Sequence, residues 1–160
     1  MSCKEELEER FPYVTFYGPT SINENVVIGE GTGIGEYCVI GPYVTIGKNC
    51  SIMYHVSIPR GTCIGDDVFI GPNVTILNDK YPPSANKAPT IKNKAVIGGG
   101  AVVLPDITVG YRAVVAGGSV VTTDVPSERV VAGNPARVVL SRDEYDMKQK
   151  EWVKYCPERK

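Results

Sequence analysis

The stretch SIMYHVSIPRGTCIGDDVFIGPNVTI, Ser51 to Ile76, places an isoleucine at every sixth position: Ile52, Ile58, Ile64, Ile70 and Ile76. Traced backwards, the same phase picks out Phe16, Ile22, Ile28, Ile34, Ile40 and Ile46. The rhythm breaks in LNDKYPPSANKAPT, Leu77 to Thr90, and resumes at Ile91, Ile97, Val103, Val109, Val115 and Val121. Glycine often follows the aliphatic residue, as at Gly29, Gly35, Gly41, Gly47, Gly65, Gly71, Gly98 and Gly110. Four places after it stands something small or β-branched, among them Thr20, Thr32, Cys38, Cys50, Val56, Thr62, Ala101 and Ser119. A period of six matches neither an amphipathic helix nor a half-buried strand. It predicts a solenoid in which each hexapeptide is a short strand plus a corner. The bulky residue points inward, the small one fits the tight interior, and glycine serves the turn. Three such steps close a triangular coil, and successive coils pair as parallel strands.

The remaining composition sets limits. A chain of 160 residues is one domain with room for a core. A formal net charge of -1, with no long basic run, gives no electrostatic reason to expect nucleic acid as a partner. The start, MSCKEELEER, lacks the apolar segment of a signal peptide. Asp106 and Arg112 interrupt the most apolar region, so no membrane span is expected. Five cysteines, Cys3, Cys38, Cys50, Cys63 and Cys156, form no CxxC pair and argue against a disulfide framework or a zinc knuckle. A reducing, cytoplasmic setting is the expectation. Cys38 and Cys50 fall at the small interior position and read as packing residues.

The boundaries follow from the rhythm. Residues 1–15 form an extension with a short acidic helix, 16–138 the β-helix with its loop at about 77–90, and 139–160 a C-terminal helix. Ser141 and Glu144 have capping-box spacing, and Tyr145, Gln149, Trp152 and Cys156 share one face. A solenoid needs its open end covered, so this helix is expected to be the cap.

Register places the chemistry. With Ile22 on face A, Ile28 on B and Ile34 on C, Ile52 lies on C, and His55 stands at the corner between C and A. Ile76 is on A, so the loop leaves at the A/B corner. Read as one regular step plus nine extra residues, the break puts Ile91 on B, Ile97 on C and Val115 on C. Gly99 and Gly117 then share the edge with His55, and Gly117 is about 14 Å away at ~4.8 Å per coil. A three-residue insertion would move Gly117 to another corner. The absence of an aliphatic residue at Pro82 and Ala88 favours the longer one.

His55 is the only histidine, and it points outward. It is a candidate general base, imidazole being the side chain whose ordinary pKa is nearest neutrality; the alternative is a surface histidine with no task. The loop carries Asn78, Asp79, Lys80 and Tyr81 ahead of two prolines, and a loop of that length in an economical scaffold is functional or disordered. It starts one corner away from His55 and would more naturally meet the His55 edge of a neighbouring molecule.

The [LIV]-G-x-x-[small]-x rhythm over roughly residues 16–138 resembles the hexapeptide-repeat proteins. The resemblance implies an all-β, left-handed parallel β-helix and a homotrimer. The order HVSI, GDDVFIGPNV, ND-x-YP and AGNPAR is similar to the acetyl-CoA-dependent N-acetyltransferases that modify nucleotide-linked 3-amino sugars. It implies acetyl-CoA as co-substrate without a metal, and a nucleotide-linked amino sugar as acceptor. Asn78, Asp79 and Tyr81 would touch that acceptor. Backbone groups of Gly99 and Gly117 would meet the pantetheine amides, with Thr122 and Arg137 near the nucleotide end of the coenzyme. The implied mechanism is direct transfer: the amine attacks the thioester, His55 takes the proton, and a backbone N–H stabilises the oxyanion. Two departures stand out. The family's YPR is Tyr81-Pro82-Pro83 here, which leaves the sugar open, and Thr123 replaces a lysine common after the threonine. For the glycines the alternative is turn geometry alone, and for Arg137 a solvated charge. Rival functions are sugar O-acetylation on the same scaffold and a non-catalytic assembly module. A zinc-dependent carbonic anhydrase would need three histidine ligands, and one chain supplies one.

Overall fold

The computed structural model describes residues 1–155, so Cys156, expected on the helical face, lies outside the described residues. Each of the phased aliphatic or aromatic residues is the second member of a two-residue strand, from β1 (Thr15–Phe16) to β17 (Val120–Val121). The strands form three parallel sheets that are the three faces of the solenoid. Phe16, Ile34, Ile52, Ile70, Ile97 and Val115 stack on face C. Face A holds Ile22, Ile40, Ile58, Ile76, Val103 and Val121, and face B holds Ile28, Ile46, Ile64, Ile91 and Val109. All of these are buried except Ile28, which is half-buried on the first coil of its face. Fully burying each such side chain contributes about 1.5–3 kcal/mol, and the stack is the core.

The small positions are buried as expected, and their polar atoms are satisfied from within. Thr20 Oγ1 donates to the Gly35 carbonyl at 3.0 Å, and Thr32 Oγ1 to that of Gly47 at 2.8 Å. Cys38 and Cys50 point their thiols at the Met53 and Gly65 carbonyls, each at 3.0 Å. An unpartnered hydroxyl at these places would cost about 1–3 kcal/mol.

The loop follows the longer insertion. Thr75 pairs with Val102 on face A, and Thr90 pairs with Cys63 on face B, so the chain rejoins the next face in register. The ends of the solenoid are closed differently. At the start, helix α1 (Lys4–Arg10) buries Leu7, and the Phe11 ring lies 6.1 Å from that of Phe16. At the other end, β18 (Arg129–Ala132) continues face C in parallel with the strand at Val114–Val115. β19 (Arg137–Ser141) then folds back antiparallel against β18.

Helix α2 (Arg142–Tyr155) is therefore not the cap that its position suggests. The hairpin satisfies the last open strand edge, and α2 buries none of its described residues. It begins with the expected capping box, the Ser141 N–H donating to Glu144 Oε2 at 2.7 Å. It is anchored through its first turns at the B/C edge. Arg142 donates to the carbonyl of Arg112 at 3.1 Å, and Asp146 accepts from Arg112 and Arg142 at 3.0 and 2.7 Å. Trp152, on the face read as packing, is 71% exposed.

Glycine has two separate jobs along the coils. A Cβ on Gly71 would stand 2.5 Å from the Gly99 nitrogen, and one on Gly98 would stand 2.4 Å from that of Gly117. A Cβ on Gly100 would meet nothing within 4 Å, but its φ of +69° disfavours any L side chain. Gly71→Ala is expected to lower stability by about 1–3 kcal/mol through overpacking of backbone. Gly100→Ala is expected to cost only ~1–2 kcal/mol through its dihedral. Urea unfolding of the two variants compares them directly.

Candidate active site

Most corners of the triangle turn through a residue in the left-handed region, three places after the inward aliphatic one. On the C/A edge these are Tyr37, His55 and Asn73 at φ +57° each, then Gly100 at +69° and Gly118 at +70°. The residues just before them, Glu36, Tyr54, Pro72, Gly99 and Gly117, make a second column that Gly18, before Pro19, begins. The edge therefore changes character along its length. Towards the amino end it carries aromatic rings and a carboxylate; towards the carboxyl end it is bare backbone. His55 stands near the border, on the side-chain-bearing half.

The imidazole is exposed but held from two sides. The Tyr37 ring stacks on it with centroids 5.3 Å apart and planes 23° apart, and Tyr54 meets it edge-on at 5.8 Å. Backbone bonds fix the corner below and above, His55 N–H donating to Glu36 O at 2.9 Å and Asn73 N–H to Tyr54 O at 3.1 Å. Beside His55, on face C, opens a cavity of about 570 Å³ whose lining includes Tyr17, Glu36, Ser51, Met53 and Tyr54. None of these residues is singled out by motif. Their signal in the sequence is the phase: they are the corner and outward positions of the two coils below and at His55.

Gly99 and Gly117 lie on the His55 edge, as the register predicts. They are one place short of the column aligned with His55, which consists of Gly100 and Gly118. Adjacent coils here are joined by the Gly118 N–H to Gly99 O bond at 2.9 Å and the Gly100 N–H to Pro72 O bond at 2.8 Å. With no side chains, this strip leaves backbone open to a ligand of extended shape. Above it, the Asn134-Pro135 turn stacks on the same corner, its Ala136 N–H donating to Val120 O at 2.8 Å. Arg137 leaves that turn with an exposed guanidinium that donates to Ala136 O at 2.9 Å. Thr122 follows Val121 and stands at the far end of face A, at the A/B corner.

The loop residues are not brought to His55 of the same chain. Asn78 Nδ2 donates to the Arg60 carbonyl at 3.4 Å, on the A/B edge. Asp79 organises the loop internally: it accepts from the Ser84 N–H at 2.6 Å, the Tyr81 N–H at 3.1 Å and the Ser84 hydroxyl. The Ser84 hydroxyl and amide hold its carboxyl below the usual aspartate range, with the Tyr81 amide adding to the effect. Tyr81 is 74% exposed and free to meet another molecule. Burial pushes the Cys38 and Cys50 thiols up, opposite to what a nucleophile needs. Among the described residues, no helix is long and apolar enough to cross a membrane.

Seventeen in-phase positions, a triangular coil and a glycine-lined edge define a hexapeptide-repeat solenoid. The model of the bacterial transferase hexapeptide (six repeats) matches residues 43–78. A hexapeptide-repeat-containing acetyltransferase from Vibrio cholerae O1 biovar eltor, solved with acetyl coenzyme A, is 30% identical, with a TM-score of 0.57 over 69% of this chain and 70% of that one. The chain belongs to the hexapeptide-repeat acyltransferase family, whose left-handed parallel β-helix is the fold described above. The serine acetyltransferase of Buchnera aphidicola is 37% identical over 75 residues, which are 45% of this chain. Matches to curated relatives span about a quarter of those proteins' lengths. A variant of AntD, an N-acyltransferase from Bacillus cereus solved with dTDP-4-amino-4,6-dideoxyglucose and coenzyme A, shares the fold at a TM-score of 0.73. That likeness covers 97% of this chain and 98% of that one at 18% identity.

The loop yields a pH prediction. Because the folded-state pKa of Asp79 is depressed, its bonds are complete above about pH 4 and are lost as pH falls through the folded value. The protection factor of the Ser84 amide is expected to hold from neutrality down to that range and to fall as the Asp79 carboxylate is protonated. Ser84→Ala should move the Asp79 titration midpoint upward, read by NMR.

Proposed function

We propose that this chain is an acetyl-CoA-dependent N-acetyltransferase whose acceptor is a nucleotide-linked amino sugar, a 3-amino sugar in the first instance. The observation that carries this reading is the C/A edge. An outward imidazole braced by two aromatic rings adjoins an open cavity on one side, and a strip without side chains runs away from it on the other. The strip suits an extended pantetheine arm met by the backbone of Gly99 and Gly117, since the Gly100 and Gly118 N–H groups are engaged between coils. Thr122 and Arg137, at the carboxyl end, serve the nucleotide of the coenzyme, a guanidinium matching phosphate oxygens. The family relative from Vibrio cholerae is solved with acetyl coenzyme A, and the AntD variant with a nucleotide-linked amino sugar. Both support the choice of donor and acceptor class.

In the reaction, the amine attacks the acetyl carbonyl, His55 takes the proton lost from nitrogen, and that proton passes to the departing thiolate. A backbone N–H of the edge stabilises the oxyanion. The transfer needs no enzyme thiol: Cys38 and Cys50 are buried, and the exposed Cys3 and Cys63 lie in the amino-terminal extension and on face B, away from the C/A edge. Asn78 and Tyr81 act in trans: in a homotrimer of parallel solenoids the A/B loop of one subunit meets the C/A edge of the next. Asp79 shapes that loop. The setting is cytoplasmic, where acetyl-CoA is available.

A thiol-release assay with acetyl-CoA against a panel of nucleotide-linked amino sugars tests the reading. His55→Ala is expected to lower turnover by roughly 10²- to 10⁴-fold while stability falls only by about 0.5–1.5 kcal/mol through the lost ring contacts. Transfer at the full rate in that variant would remove His55 from the mechanism. Light scattering should give three times the chain mass.

A further inference from the structure

The cavity beside His55 carries a chemical preference that general-base catalysis leaves unassigned. Its one carboxylate is Glu36, on the coil below His55 and in the column next to it. The Glu36 side chain lies down across the preceding coil, over Gly18. A Cβ on Gly18 would stand 2.5 Å from Glu36 Cγ and 3.0 Å from Oε1, so the missing side chain makes the seat. Tyr54, on the coil above in the same column, and Tyr17, which precedes Gly18, also line the cavity. The cavity lining contains no lysine or arginine. Among the described residues, the ion pairs all lie elsewhere, at α1, the loop and the B/C edge. A carboxylate without a cation, in a cavity that aromatic rings and His55 also line, is suited to a small ammonium group.

We propose that Glu36 is the acceptor-selecting residue: its carboxylate docks the acceptor's amino group as an ammonium and so favours amines over hydroxyls. The proposal rests on the acetyltransferase reading above and deepens it. It also divides the edge into an acceptor half, from Tyr17 to His55, and a donor half, from Asn73 to Gly118. The proton balance is explicit. The docked ammonium first loses one proton to water, giving a neutral amine with a lone pair. The C–N bond then forms as the C–S bond breaks. The second proton passes from nitrogen to His55 and on to the coenzyme thiolate. Ammonium plus thioester yields amide, thiol and one released proton. A hydroxyl acceptor brings no charge to Glu36 and gains nothing from it.

Binding and turnover separate this proposal from the one beneath it. Calorimetry with the full chain and coenzyme A, which lacks the acetyl group, would compare dTDP-linked 3-amino and 4-amino 6-deoxyglucose with dTDP-6-deoxyglucose. The wild-type chain is expected to bind an amino sugar at least about tenfold more tightly than the hydroxyl analogue. Glu36→Gln should abolish that preference and raise KM for the amine by a similar factor, with kcat within about threefold. Glu36→Asp should restore part of the preference. Equal or undetectable affinity for amine and hydroxyl in the wild type, or an unchanged preference in Glu36→Gln, overturns the role of Glu36 even if acetyl transfer depends on His55. Loss of His55 dependence, with the amine preference and its Glu36 requirement intact, overturns the catalytic reading and leaves Glu36 as the amine site.

Discussion

Neighbouring coils approach so closely that backbone, and not side chains, fills the space between them at the corners. A Cβ on Gly35 would stand 2.5 Å from the Tyr54 nitrogen, and one on Gly41 would stand 2.6 Å from that of Arg60. This contact, repeated up the solenoid, holds strands in parallel register and leaves room for one inward aliphatic residue per step. Most corners also turn through a left-handed residue, and non-glycine residues such as Asn25, Asn49, Asp67 and His55 share φ values near +55°. A left-handed backbone at a catalytic residue often signals local strain with a purpose. Here it is a property of every edge, so the dihedral of His55 says nothing of its function. What marks His55 is the set of side chains beside it.

The same geometry turns a monotonous scaffold into three different surfaces. Side chains at equivalent corners line up in columns at ~4.8 Å per coil, so each edge is a short linear display. On the A/B edge the display is interrupted by the loop, with Arg60 stacked over Tyr43 at 4.5 Å nearby. On the B/C edge Arg112 gathers Glu128 and Asp146 and ties down the start of α2. Only on the C/A edge do rings and a carboxylate give way to bare glycine within a few coils, with an imidazole near the border. Under the proposed function, the two halves would take a compact polar acceptor and a long flexible donor, with His55 between them.

Much of this was legible from periodicity. A six-residue phase assigns every residue to a face or a corner, so the placement of His55, the exit of the loop and the edge of Gly99 and Gly117 follow by counting. The pairing of Thr90 with Cys63 agrees with the nine-residue insertion. Counting did not reveal which corner column matters. Gly100, Gly118, Tyr37 and Glu36 belong to no motif; their placement on the His55 edge is visible only when corner positions are stacked coil on coil. The role of α2 was misread because an amphipathic pattern does not say what the helix packs against. The hairpin of β18 and β19 had already closed the open strand edge. The bonds from Ser84 to the Asp79 carboxylate, which organise the loop, are displayed by no pattern of spacing.

The central claim is that one edge carries both reactants, divided at His55. A crystal structure of the chain with coenzyme A and an amino-sugar nucleotide tests it most directly. The account predicts the pantetheine arm along Gly99–Gly100 and Gly117–Gly118, its sulfur at the His55 imidazole and the sugar amine on the Glu36 side. Coenzyme bound along the A/B or B/C edge, or a sulfur remote from His55, would contradict it.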